Sequence, residues 1–155
     1  MAAAKLGAKP ADFSLPATGK ARWRLQDAAG EKLVIYFYPK DMTSGCTRES
    51  QDFRDLHPAF RKAGVRIVGV SRDSVASHEK FKAKEKLPFE LLSDEDETLC
   101  KRFDVIKEKT LYGRKYLGIE RSTFLLDATG VLRREWRKVK VPGHAEEVLE
   151  AAKSL

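Results

Sequence analysis

Cysteine, histidine, methionine and tryptophan are all scarce in this chain of 155 residues, with 2, 3, 2 and 2 copies. Cys46 and Cys100 are too few for a disulfide framework and fit no zinc-ligand spacing. None of His57, His78 and His144 stands close in sequence to either cysteine, so neither a metal nor another cofactor is expected. Long apolar runs are missing too. None approaches the roughly 20 residues of a membrane span, and the N-terminal segment lacks the apolar stretch of a signal peptide. The expectation is a soluble, cytoplasmic protein with no membrane partner.

Charge of one sign is not missing, but it is diluted. Lys and Arg number 30 against 23 Asp and Glu, a net charge of +7 that invites an acidic partner. Opposite signs interleave, however, as in Lys82-Ala-Lys-Glu-Lys86, and Asp94-Glu-Asp-Glu97 is wholly acidic. The pattern is that of a solvated mixed surface rather than a nucleic-acid-binding one. The densest basic stretch, Arg133-Arg-Glu-Trp-Arg-Lys-Val-Lys140, would offer Trp136 among cations to a nucleic acid; it reads more simply as a strand with one charged face.

With 42% hydrophobic residues and no repeat or linker, the chain is expected to form a single domain over residues 1–155. Leu33-Val-Ile-Tyr-Phe-Tyr38 is a continuous apolar run, the mark of a strand buried on both faces, and Pro39 ends it. Phe53, Leu56 and Phe60 recur at helical spacing between Thr43 and about Lys62, where Pro58 should kink or divide the helix and Gly64 stop it. Val65 to Val70 is a second buried strand, Val75 to Glu85 a helix with Phe81 inward, and Glu90-Leu-Leu92 a third strand. Asp94 to Phe103 reads as a helix with an acidic start. Ser122 to Leu126 and Val131 to Lys138 flank the turn signal Asp127-Ala-Thr-Gly130 as a hairpin, and a last helix runs from about His144 to Lys153. This order predicts a thioredoxin-like α/β fold, a central mixed sheet flanked by helices.

Thr43-Ser-Gly-Cys46 falls just beyond the carboxyl end of a central strand and at the start of a helix, where open α/β sheets place their ligands. Unpaired N–H groups and the positive helix end favour a thiolate there. A second cysteine three residues earlier would make a dithiol exchange site, but Thr43 stands in its place. A hydroxyl at that position can hydrogen-bond an oxygen substrate instead. Attack of the thiolate on a peroxide oxygen would leave Cys46 as a sulfenic acid.

Pro39-Lys-Asp-Met-Thr43-Ser-Gly-Cys46 resembles the P-x-x-x-T-x-x-C signature of peroxiredoxins. Gly118-Ile-Glu-Arg121-Ser-Thr-Phe-Leu-Leu-Asp127, Leu91-Leu-Ser-Asp-Glu-Asp96 and Tyr36-Phe-Tyr-Pro-Lys40 are similar to further segments of the bacterioferritin comigratory protein (PrxQ) branch, in the same order along nearly the whole chain. The resemblance implies a peroxidase acting on hydrogen peroxide or small organic hydroperoxides. It makes Cys46 the nucleophile, Thr43 a hydrogen-bonding partner of the peroxide, Pro39 a shaper of the pocket, and Arg121 the cation beside the thiolate. Glu49, one turn after Cys46, is placed to orient that arginine. A monomer, reduced by thioredoxin, glutaredoxin or a low-molecular-weight thiol, is implied as well.

The pattern is broken in two places. Ser44 stands where many relatives have proline, a tolerable change at a helix-opening position. Gln51 stands where many relatives carry the resolving cysteine, and no cysteine occurs near Phe81 and Lys82, the other usual place. Cys100 is then the remaining internal candidate, and with Leu99 and Phe103 it reads as a core-facing stripe. The expectation is a one-cysteine cycle with an external thiol, open to overoxidation under excess peroxide. The alternatives are a two-cysteine cycle through Cys100, or a thiol-disulfide reductase without peroxidase activity; no apolar patch legible in sequence supports a chaperone or scaffold.

Overall fold

A computed structural model describes residues 3–155. An N-terminal hairpin of β1 (Ser14–Ala17) and β2 (Lys20–Arg24) leads to β3 (Lys32–Phe37), where five successive residues are buried because both faces of the strand are covered. Then come α1 (Ser44–Lys62), β4 (Val65–Ser71), α2 (Val75–Glu85) and β5 (Glu90–Ser93), which make two successive parallel crossovers. The short α3 (Thr98–Arg102) precedes a separate hairpin of β6 (Ile106–Leu111) and β7 (Arg114–Ile119). β8 (Ser122–Leu126), β9 (Leu132–Trp136) and α4 (His144–Lys153) complete the chain.

Seven strands form one sheet in the order β2-β1-β5-β4-β3-β8-β9, with β3 parallel to β4 and antiparallel to β8. This is the expected mixed sheet with helices on its faces. Alternation along β3 sorts the core into two layers. Leu33, Ile35 and Phe37 join Trp23, Cys100, Phe103 and Phe124 on one face. Val34 and Tyr36, followed by Tyr38, join Cys46, Phe53, Phe60, Phe81 and Val148 on the other. Each of these large side chains contributes roughly 1.5–3 kcal/mol by leaving water.

Three expectations need correction. Pro58 does not divide α1, which continues to Lys62 because Phe53 and Phe60, on either side of it, are anchored in the same core layer. The acidic run 94–97 is not helical but caps α3: the Asp94 carboxylate accepts from the Leu99 and Cys100 amides at 3.1 and 2.6 Å. β9 stops at Trp136, since Arg137 turns away to the carbonyls of Phe103 and Asp104 and Lys138 is left-handed (φ 50°). Two hairpins were not legible at all. The β6–β7 pair is too polar to show a buried alternation, and its turn uses Tyr112 and Gly113 at φ 51° and 75°, where an asparagine-glycine pair is the usual signal.

For the site, what matters is the carboxyl end of β3. The loop from Pro39 to Thr43 leaves that end and enters α1, while Arg121 lies in the two-residue link between β7 and β8. Because Phe37 pairs with Ser122 across the β3–β8 ladder, the link delivers Arg121 beside the same loop.

Candidate active site

Cys46 is the third residue of α1, with 1% of its surface exposed. Thr43 occupies the cap position, but its side chain does not cap the helix; the hydroxyl donates to the Lys40 carbonyl at 2.8 Å. With its proton committed, the exposed Thr43 oxygen is free to accept from an incoming O–H. The first-turn amides of α1 remain available to a negative charge at the sulfur. Pro39 is half-buried where the chain leaves β3, at the head of this loop.

Arg121 links two groups on α1. Its Nη2 lies 3.4 Å from Cys46 Sγ, and its Nη1 donates to Glu49 Oε1 at 2.6 Å. Burial works against the guanidinium charge, yet Glu49 and then Cys46 outweigh it and hold Arg121 above its ordinary range. Gly45 makes the close approach possible: a Cβ there would sit 3.1 Å from Arg121 Nη2.

Glu49 is 1% exposed, and its second oxygen, Oε2, has no hydrogen-bond partner among the described residues. Burial pushes its carboxyl up to about 7, against the pull of Arg121. The ion pair with Arg121 is short, yet the carboxyl stays raised because Oε2 has lost water without gaining a donor. The folded form therefore holds the Glu49 proton more tightly than the unfolded chain, whose carboxyl titrates near 4.5. That stabilising contribution is complete below pH 4.5 and is lost as pH rises through about 7. Denaturant unfolding of wild type and Glu49→Gln across this range should show wild type losing ground with rising pH, by up to roughly 3 kcal/mol. A constant difference between the two proteins would show that Glu49 does not hold its proton.

Lys109, on β6, feels the charges of Arg121 and Cys46 and was not found by sequence reasoning. Burial first, then the Arg121 charge, lowers its ammonium below the usual range, while Cys46 acts in the opposite sense. No sequence signal marks it, because the polar hairpin that carries it is itself not legible.

Cys100 is also the third residue of a helix, α3, and is fully buried. Its surroundings are the reverse of those at Cys46. Burial, then the charge and hydrogen bond of Asp94, push its thiol far above the ordinary value. The two thiols pack in different core layers, on opposite faces of the seven-stranded sheet. A disulfide needs Cα atoms within about 7 Å, so joining these two would require opening the sheet or extracting a helix from its core.

Over residues 6–135 the sequence matches the AhpC/TSA family. It is 56% identical over 150 residues to peroxiredoxin Bcp of Xanthomonas campestris pv. campestris, covering 97% of this chain and 94% of that protein. Among solved structures, the bacterioferritin comigratory protein of Xanthomonas campestris, studied for its alkyl peroxide reduction activity, superposes with a TM-score of 0.87 at 56% identity, over 92% of this chain and 90% of that one. PrxQ of Xylella fastidiosa superposes with a TM-score of 0.92 at 46% identity, over 99% and 98%.

Proposed function

Since the chain belongs to the AhpC/TSA family, in its peroxiredoxin Bcp/PrxQ branch, and is a thiol-dependent peroxidase, we propose that Cys46 is its peroxidatic nucleophile and works in a one-cysteine cycle. The observation that carries this reading is the Arg121 guanidinium 3.4 Å from the Cys46 sulfur, on a helix N-terminus. A fixed cation there favours the charged sulfur and stands beside the oxygen that becomes negative as it leaves.

The Cys46 thiolate attacks the terminal oxygen of a hydroperoxide. The S–O bond forms as the O–O bond breaks, and the departing oxyanion takes a proton to leave as water or an alcohol. Thr43 accepts a hydrogen bond from the peroxide O–H, Arg121 stabilises the charge shifted to the leaving oxygen, Pro39 shapes the mouth, and Glu49 orients the arginine. Sulfenic Cys46 is then attacked by an external thiol, which expels water and leaves a mixed disulfide. A second thiol releases Cys46. The reductant is thioredoxin, glutaredoxin or a low-molecular-weight thiol, the working form a monomer in the cytoplasm, and the substrates hydrogen peroxide and small organic hydroperoxides. For the organic substrates the alkyl peroxide activity of the Xanthomonas relative gives support.

Separation of the two thiols by the sheet supports the one-cysteine cycle over resolution by Cys100. The test is intact-mass analysis after one equivalent of peroxide without reductant. The expected products are one added oxygen, trapped by dimedone at Cys46, a free Cys100 thiol, and the same outcome in Cys100→Ser. Loss of two hydrogens and an internal disulfide would overturn the cycle.

A further inference from the structure

Behind the Pro39–Thr43 loop lies a second buried cluster that the cycle above does not use. His78, fully buried on α2, and Asp41, 4% exposed in the loop, are its centre. His78 Nε2 is 2.8 Å from the Leu92 carbonyl of β5, and a carbonyl only accepts, so Nε2 carries a proton. His78 Nδ1 is 2.7 Å from Asp41 Oδ2, which requires a second proton between them. The same carboxylate accepts from the hydroxyls of Tyr38 and Ser77 at 2.7 and 2.8 Å. With the Nδ1 contact, these two hydroxyls tie one loop carboxylate to the end of β3 and to two residues of α2. Below it, the Asp41 amide donates to Asp73 at 2.9 Å, and Asp73 is held by the Ser71 hydroxyl at 2.5 Å.

Asp41, Asp73 and His78 offer atoms within 4.8 Å of one another, close enough for a metal ion. Each is already bonded to protein, which makes the cluster a clasp between the loop and the α2–β5 unit. Met42, next along the loop, is left-handed at φ 67°. That conformation is disfavoured for a residue with a Cβ and persists only where the surroundings enforce it. Thr43 follows directly, then the first turn of α1 with Cys46.

We propose that His78 is a positioning residue for the peroxide reaction: through Asp41 it holds the 39–43 loop, and with it Thr43, where a peroxide lying on Cys46 meets the hydroxyl. His78 itself touches neither the sulfur nor the peroxide. The inference rests on Cys46 as the nucleophile.

Two rate constants measured on the full chain at one pH separate positioning from general support: oxidation of Cys46 by hydrogen peroxide, and its alkylation by iodoacetamide. Alkylation needs a reachable thiolate but no held peroxide. His78→Leu should lower the peroxide rate roughly 10- to 100-fold while alkylation stays within about threefold, since misplacement of a positioning group costs only the reaction that uses it. His78→Asn, whose amide can still donate towards Asp41, should recover part of the loss. Ser77→Ala, which removes one bond at a half-exposed site, should give a smaller loss with the same selectivity. A purely structural role would lower the melting temperature and leave the ratio of the two rates unchanged.

That unchanged ratio in folded His78→Leu would overturn the proposal. Should this variant not fold, wild-type ratios in both His78→Asn and Ser77→Ala would do the same. Failure of the nucleophile assignment looks different: peroxide would react as fast with Cys46→Ser as with wild type.

Discussion

Replacing Cys46 with serine is expected to bring peroxide consumption down to the uncatalysed rate, whatever the reductant, while Cys100→Ser keeps the full rate. The asymmetry follows from charge rather than position. Both cysteines are third residues of helices and both are buried. Cys46 has a guanidinium at 3.4 Å and the amides of a helix of 19 residues, whereas Cys100 has the Asp94 carboxylate and a helix of only 5. The nucleophile is the thiolate, not the thiol. A serine hydroxyl at position 46 ionises far too weakly to replace it, and Arg121 cannot close that gap. A coupled peroxide assay with dithiothreitol and with a thioredoxin system measures both variants. Substantial activity in Cys46→Ser would remove the proposed mechanism, and loss of only the thioredoxin-linked rate in Cys100→Ser would return Cys100 to the cycle.

The second large effect is expected at Arg121. Arg121→Gln should slow Cys46 oxidation roughly 100- to 1,000-fold, the usual loss when a preorganised donor at developing negative charge is removed. Arg121→Lys should recover little, because one ammonium cannot reproduce the two-nitrogen span from Cys46 Sγ to Glu49 Oε1. Stability responds differently. Removing one partner of a buried ion pair ordinarily costs about 3–5 kcal/mol. Here Glu49 already holds its proton up to about pH 7 with Arg121 present, and without that cation its carboxyl moves higher still. At neutral pH the variant therefore escapes much of the penalty by keeping Glu49 neutral, and the cost grows as pH is raised. Stopped-flow oxidation rates with denaturant unfolding at several pH values test both parts. Adding Glu49→Gln to Arg121→Gln should remove the pH-dependent destabilisation without restoring the rate. A rate within tenfold of wild type in folded Arg121→Gln would show that the guanidinium does not assist the leaving oxygen.

The sequence carried the parts of this fold that are uniform over several residues. β3 and β4 were legible because apolar residues run nearly unbroken through them, from Leu33 to Phe37 and from Ile67 to Val70 around Gly69, and α1 because Phe53 and Phe60 keep helical spacing across Pro58. The Pro39–Cys46 loop was legible as a compact motif, and Arg121 through a segment of its own. The rest depends on groups brought together only by folding. Lys109 lies on a strand that is half charged and has no fully buried residue, so no pattern marks it. Asp41 and His78 are 37 positions apart, and nothing local distinguishes a histidine that meets a buried aspartate from one facing water. The same holds for the faces of the sheet: Leu99, Cys100 and Phe103 form a core stripe in sequence, but which layer receives it is decided by the crossover of the chain.

The sheet between the two sulfurs has a consequence for how the protein behaves over time. On the one-cysteine cycle, nothing inside the chain can reach Cys46 once it carries oxygen, so the lifetime of the oxidised form is a property of the surroundings. Each turnover waits on an encounter with an outside thiol. At steady state the fraction of molecules oxidised then rises and falls with the supply of hydroperoxide relative to that of thiol, and the wall of seven strands makes a single sulfur a gauge of that ratio.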